Sequence, residues 1–484
     1  MLRRFLRDSA IYGLAGILVR SVSLLLVPVY TRILSPTDYG IVDLVTVFTA
    51  FVGVTVALEI AQALARFLPD ADTAEERSQY ASAALWFTLS GYAAFTVVAV
   101  AFASPLAALL LDSAERRDLI LVALPLVVGS GVFYLLQSQL RFELRPTQFA
   151  ISGIVYSGTG IAASVLLVAG LRIGVAGVFL GQAIGALVGI AVAGAWARHT
   201  YRLAVDFGTL REMVRFSLPL VPSSVGVMIA LYVDRIAIKE LLTLHDLGLF
   251  GIGYRMASVV MLLMIGFQGA LTPLIYAHYR DPKTPGELAR IFSFFITVAL
   301  GVCLVLAVFA GEIVRLAAPP VYWDGAAVVP LLAPALLLSS MYVFTPGLAI
   351  AKRTGVISAI SLLGAGLSTG LSFTLVPLLG IRGAAASTLV GAATVFALSM
   401  IASQRHYPVP HPWGRIAIAS LAGLGIFLVA SALPVGAWSS IALKTLLVIL
   451  AGVVCVALGL VPIPWRWRPR PRGGASVPAG RSGP

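Results

Sequence analysis

The feature that most constrains this chain is a succession of apolar stretches, each long enough to cross a bilayer. A spanning helix needs about 17 to 25 mostly apolar residues. By that measure fourteen stretches qualify, at roughly 10–31, 40–66, 80–111, 119–140, 147–171, 174–197, 213–234, 247–277, 291–311, 325–351, 355–379, 382–403, 415–433 and 438–463. Only helices and closed barrels satisfy every backbone group in lipid, and runs of this length read as helices. The expected fold is therefore an all-α polytopic membrane protein. Composition agrees: 59% of residues are hydrophobic and 11% charged, and the mean hydropathy is +0.97. A soluble enzyme or DNA-binding protein is excluded. The formal charge of +13 does not imply a nucleic-acid partner, because the cations stand singly or in small groups between apolar runs rather than on one soluble face.

Their distribution reads instead as topology. When the connections are assigned alternately to the two sides, most of the 34 Lys and Arg residues fall on the side of the N-terminus and tail, among them Arg3, Arg4, Arg141, Arg198, Arg211 and Lys352. The positive-inside rule then puts both termini in the cytoplasm, in a multi-pass protein of the inner membrane. The pair Arg116 and Arg117 runs against the rule. The first run, which contains Arg20 and lacks a small-residue cleavage site, reads as a retained helix and not a signal peptide. The segment 465–484, which opens Trp465-Arg466-Trp467-Arg468, reads as a basic disordered tail after an interfacial anchor.

Sliding the chain against itself exposes a repeat. Thr31-Arg32-Ile33 overlays Asp234-Arg235-Ile236, and Asp38-Tyr39-Gly40 overlays Asp246-Leu247-Gly248. Gly174, Gly177 and Gly185 fall on Gly380, Gly383 and Gly391, and Arg145-Pro146-Thr147 meets Arg353-Thr354. This divides the chain into an N-terminal lobe of six helices (1–204), a C-terminal lobe of six (205–410), two further helices (411–464) and the tail. The lobes are expected to be related by a pseudo-two-fold axis along the membrane normal.

Three runs carry a family resemblance: Pro28 to Gly40, with Asp38-Tyr39-Gly40 at its end; Ala63-Leu64-Ala65-Arg66-Phe67; and Gly248 to Ala257, which includes Tyr254-Arg255. They resemble the Wzx-type polysaccharide and O-antigen flippases. Those belong to the multidrug/oligosaccharidyl-lipid/polysaccharide exporter superfamily, which also contains the lipid II flippases. The likeness extends over almost the whole chain in helix number and layout. It implies two six-helix lobes around a central cavity that opens alternately to the two sides, and a lipid-linked oligosaccharide as substrate. Membrane lipids are implied as partners, and a polysaccharide polymerase or other assembly proteins are admitted as further ones.

Intramembrane polar residues point to the same use. A cation at mid-helix costs roughly 2.5–3.5 kcal/mol on insertion scales and normally faces a wet interior. Arg20 lies on a stripe with Gly13, Gly16 and Ser23; Glu59, Gln62 and Arg66 form another with Thr55; Arg255 shares a face with Gly251 and Ser258, beside Tyr254. The candidate substrate-binding residues are therefore Arg20, Glu59, Gln62, Arg66, Tyr254 and Arg255. Guanidinium forks suit a diphosphate, and Tyr and Gln suit sugar hydroxyls. Structural roles compete with each of these. Arg20 and Glu59 also read as a neutralising pair, Arg66 as an interface marker, and Arg255 as a snorkelling side chain. Asp43 and Asp234 read either as functional or as caps and ion pairs with Arg32 and Arg235.

Other chemistries lack their residues. The five histidines lie at or near loops, and Cys303 and Cys455 stand alone within apolar runs, so neither a metal site nor a cofactor is expected. No phosphate-binding Walker motif occurs. The expected protein is a transporter and not an enzyme: a flippase for a polyprenyl-diphosphate-linked oligosaccharide in cell-surface polysaccharide assembly. The alternatives are an ion-coupled multidrug exporter of the same superfamily, from which fourteen helices and Arg20 depart, or a membrane enzyme of glycan assembly, against which the short outer loops argue.

Overall fold

A computed structural model describes residues 24, 26–203 and 206–460. The described residues are predominantly helical, with no strand among them. Thirteen helices among them are long and apolar enough to cross a membrane, from Pro36–Ala57 to Trp438–Ala457, and they coincide with the second to fourteenth expected spans. Most of the first expected span, Arg20 included, and the basic tail lie outside the described residues.

The elements used below are α1 (Pro36–Ala57), α2 (Ile60–Phe67), α3 (Ala74–Ala101), α4 (Arg117–Phe142), α5 (Pro146–Val165), α6 (Val175–Ala197), α7 (Phe207–Ser217), α8 (Val221–Leu241) and α9 (Leu244–Ala257). They continue with α10 (Thr284–Val308), α11 (Ala310–Ala317), α12 (Val329–Ser340), α13 (Thr354–Leu379), α14 (Ile381–His406), α15 (Trp413–Ser431) and α16 (Trp438–Ala457). Several begin with local signals legible in the sequence. Ser35 and Asp38 form a capping box at α1, Thr73 and Glu76 one at α3, and Thr243 and Asp246 one at α9. Each box satisfies backbone donors that the first turn otherwise leaves bare.

The repeat seen in the sequence has counterparts in local geometry. Gly174 caps α6 at φ +67°, ψ −142°, and Gly380 caps α14 at φ +60°, ψ −141°. That region is open to glycine and strained for other residues. Leu144 (φ 57°) and Lys352 (φ 56°) both end helical turns in the left-handed region. After them, Arg145 N donates to Leu140 O at 3.0 Å and Arg353 N to Leu348 O at 2.9 Å, the same six-to-one closure in both places. The caps at Ser35 and Thr243 complete the series.

Between helices, packing follows small residues. Gly185 on α6 faces Gly160 on α5, where a Cβ would lie 2.6 Å from the Gly160 Cα. Without a hydrophobic force between helices in lipid, such close approach supplies the dispersion energy that holds them. The connecting helix α7 turns its buried Met213 toward Ile60 and Leu64 of α2 and Ala83 of α3. The start of the second half of the chain therefore rests on the first.

Candidate functional site

The site begins where a helix fails. α1 stops at Ala57, Leu58 and Glu59 take left-handed φ values of 46° and 55°, and α2 restarts at Ile60. Two consecutive non-glycine residues in that region cost about 1–2 kcal/mol each. The break turns Glu59 into a cavity of about 340 Å³, lined also by Thr49, Gln62, Thr88, Tyr92 and Tyr134 from α1 to α4, with Met228 of α8 on the far side. Glu59 is the one charged side chain among the described lining residues. The Thr88 hydroxyl is buried there without a hydrogen-bond partner. Gly131 makes room for the Tyr92 ring, since a Cβ at that position would overlap the phenol. A mostly apolar chamber with a few convergent hydrogen-bonding groups is the usual form of a small-ligand site. Carboxylate, amide and hydroxyl groups beside two phenols suit a polar organic group such as a sugar, whose hydroxyls both donate and accept.

Nearer the start of α1 lies a second polar cluster. By helical rise, the sixteen residues from Asp43 to Glu59 amount to roughly 24 Å. Arg235 of α8 reaches across the molecule: its Nε donates to Asp43 Oδ2 of α1 at 2.8 Å and its Nη1 to Asp234 Oδ1 at 3.1 Å. All three side chains are nearly inaccessible, at 12% exposure for Asp43, 5% for Arg235 and 4% for Asp234. Aromatic faces complete the shell. The Arg235 guanidinium lies 4.2 Å from the Tyr254 ring centroid and 5.6 Å from that of Phe250, both on α9. Arg255 lies over Tyr39 at 4.9 Å. Such contacts are strongest where water is excluded.

The backbone closes at the same place. A Cβ on Gly40 would overlap the carbonyl of Leu244, and one on Gly248 would overlap the carbonyl of Pro36. The starts of α1 and α9 therefore touch main chain to main chain, reciprocally. Tyr322 adds a hydrogen bond from its hydroxyl to Leu34 O at 2.8 Å. This end of the bundle is sealed.

The expected site residues thus separate. Glu59 and Gln62 share the chamber, whereas Tyr254 and Arg255 belong to the sealed cluster. Arg66 is exposed and paired with Asp70, one turn further along the chain. Arg20, and with it the question of an Arg20–Glu59 pair, lies outside the described residues. Asp43 and Asp234 both bind Arg235, while Arg32 is exposed; the pair across the molecule replaces the local pairing of Asp43 with Arg32. Thr88, Tyr92 and Tyr134 were not singled out in the sequence, although Thr88 and Tyr92 stand one turn apart in an apolar run. Among the described residues no group of three or more His, Cys, Asp or Glu side chains is placed to hold a metal ion.

Comparison with known proteins gives three consistent results. Residues 5–277 match the family described as polysaccharide biosynthesis protein. The succinoglycan biosynthesis transport protein ExoT of Rhizobium meliloti (strain 1021) is 24% identical over 284 residues, 57% of this chain and 54% of that protein. The chain thus matches about half the length of that curated relative. Among solved structures, the lipid II flippase MurJ in an inward closed conformation aligns over 93% of this chain and 98% of its own, with TM-score 0.73 and 12% identity. A multidrug resistance MATE family transporter of the MOP superfamily, in its inward-facing conformation, aligns over 85% of this chain and 95% of its own, with TM-score 0.63 and 17% identity. At these identities the structural likeness speaks for the fold alone. The chain therefore belongs to the polysaccharide biosynthesis protein family, and its many-helix fold is the one that these two structures share.

Proposed function

Because the chain belongs to the polysaccharide biosynthesis protein family, we propose that it moves a polyprenyl-diphosphate-linked oligosaccharide across the cytoplasmic membrane by alternating access. In this reading residues 1–204 and 205–410 are two lobes. The glycan enters the chamber at Glu59, and the lipid tail stays in the bilayer. The cation distribution supports cytoplasmic termini, which puts the sealed end on the outer side and makes this an inward-oriented state. The observation that carries the reading is the cross-molecule contact of Arg235 with Asp43, backed by the main-chain contacts at Gly40 and Gly248. It closes one end of a bundle whose polar chamber lies further along the same helices.

For transport, the ends of α1 and α9 must part while the opposite end closes. The lobes would rock about the chamber, and Arg235 would exchange Asp43 for water in the outward state. Cysteine pairs joining α1 to α9 near Gly40 and Gly248 should trap this state and stop movement of lipid-linked oligosaccharide in proteoliposomes. Reduction should restore it. Unimpaired movement in the trapped protein would refute alternating access.

A drug exporter remains the second reading, favoured by one observation: Glu59, the one charged group among the described chamber residues, suits a cationic cargo. Glu59→Gln separates the two. A glycan carrier keeps partial activity because the amide still hydrogen-bonds hydroxyls, whereas a cation exporter loses its counter-charge and most of its activity.

A further inference from the structure

Away from both regions, two adjoining cavities run along the C-terminal helices. One, of about 480 Å³, is apolar and is walled by Leu304 of α10, Pro334 of α12, Leu424 and Phe427 of α15, and Val448 of α16. The other, of about 640 Å³, shares Ala307, Pro330, Leu331 and Phe427 with the first and carries Arg315, Asp324, Arg382 and Lys444. The two form one groove with an oily body and a charged head.

The charges at the head are unequally satisfied. Lys444 is neutralised by Glu312 at 2.6 Å. Arg315 donates to Val435 O at 3.0 Å and lies 4.4 Å over Trp323. Its charge stays without a carboxylate in either contact. Arg382 is exposed, and its side chain makes no ion pair or hydrogen bond among the described residues. With Asp324 as the remaining acid, the head keeps a surplus of positive charge. The head sits where α10 ends and α14 and α16 begin, so it lies toward one membrane surface and the oily body toward the bilayer middle.

The walls also distinguish a resident from a cargo. All lining residues lie between Thr297 and Cys455, and none comes from α1 to α9. The groove would therefore stay whole when the contacts of α1 with α8 and α9 open. We propose that it is a binding site for an anionic phospholipid of the surrounding bilayer. The phosphate lies between Arg315 and Arg382, and an acyl chain runs along Leu304, Phe427 and Val448. Arginine forks suit phosphate oxygens, and an indole such as Trp323 belongs at the headgroup level. This proposal is independent of the glycan reading, since it shares no residue with the chamber.

The test uses the full-length chain reconstituted in equal phosphatidylglycerol and phosphatidylethanolamine, extracted in mild detergent and examined by native mass spectrometry. The wild type should retain one phosphatidylglycerol in preference to phosphatidylethanolamine. Arg315→Gln with Arg382→Gln should lower that retention on the order of tenfold or more. Arg382→Gln alone, which breaks no contact inside the protein, should lower it severalfold and guards against a misfolded double variant. Gly301→Trp should abolish it, because a side chain there projects into open groove space. Unchanged retention in these variants would overturn the site, as would equal retention of the two phospholipids. Displacement of phosphatidylglycerol by an equimolar isoprenoid diphosphate would also overturn it, by making the groove a cargo path.

Discussion

The chamber at Glu59 and the cluster at Arg235 share helices α1 and α8, yet they treat polarity in opposite ways. Around Arg235 each charged group has a partner: two carboxylates flank one guanidinium, and three aromatic faces complete a nearly inaccessible cluster. Around Glu59 the helix is broken, the carboxylate has no ion pair among the described residues, and the Thr88 hydroxyl is bare. Satisfied groups hold elements together, while unsatisfied ones in a cavity await a partner. The difference separates a closure from a receptacle, and substitutions can probe it from both sides.

The largest effect should come from Arg235→Ala, which strands two buried carboxylates. Breaking such a group by removing one partner costs about 3–5 kcal/mol, so protein abundance in the membrane should collapse along with transport. Asp43→Asn, which leaves the Arg235–Asp234 pair intact, should keep abundance and shift crosslinking between α1 and α9 toward the open state. Equal abundance of wild type and Arg235→Ala would break the view of this cluster as a closure. Next in size is Gly248→Ala. Its methyl would overlap the Pro36 carbonyl, and overpacking of this kind costs about 1–3 kcal/mol. The thermal midpoint in detergent should drop, whereas Gly53→Ala on α1, where a Cβ meets open space, should leave it unchanged.

The chamber should respond differently. Thr88→Val removes an unpartnered hydroxyl at nearly constant shape, so stability should hold or rise while transport falls severalfold. A loss of both together would assign Thr88 to packing. Leu58→Gly relieves a left-handed non-glycine residue and should be neutral or stabilising by about 1 kcal/mol. A clear destabilisation would mean that the Leu58 side chain holds the break open.

The smallest effect lies outside both regions and calibrates them. His411, in the loop before α15, packs against Phe292 at 4.4 Å and Trp413 at 5.2 Å, with neither ring nitrogen hydrogen-bonded. Burial pushes its pKa down from 6.5 to about 4. The folded protein thus holds His411 neutral while the unfolded chain protonates first. This contribution to stability is full above about pH 6.5, falls as pH drops toward about 4, and is constant below that. His411→Phe should flatten that part of the melting profile and leave transport at neutral pH unchanged.

Much of this was legible in the residues. Apolar run length gave the helices, because a bilayer admits few other solutions. Ser35 with Asp38 and Thr243 with Asp246 were legible as capping boxes, each Asp standing at the third helical position, where it reaches back to the cap. The pair Asp43–Arg235 was beyond reach: the partners are 192 positions apart, and nothing local favours that match over the nearer Arg32. The Glu59 break was equally hidden, since Leu58 and Glu59 carry no turn signal and only the surrounding packing holds them in the left-handed region.

What the sequence determined by itself is thus the membrane habit, the succession of helices and the equivalence of their caps and turns. These follow from the cost of bare backbone groups in lipid, which each segment meets alone. What only the tertiary structure decided is which polar residues meet. That choice sets a buried charge against a partner on another helix, and its energy depends on the distance and the excluded water between them, neither of which is written along the chain.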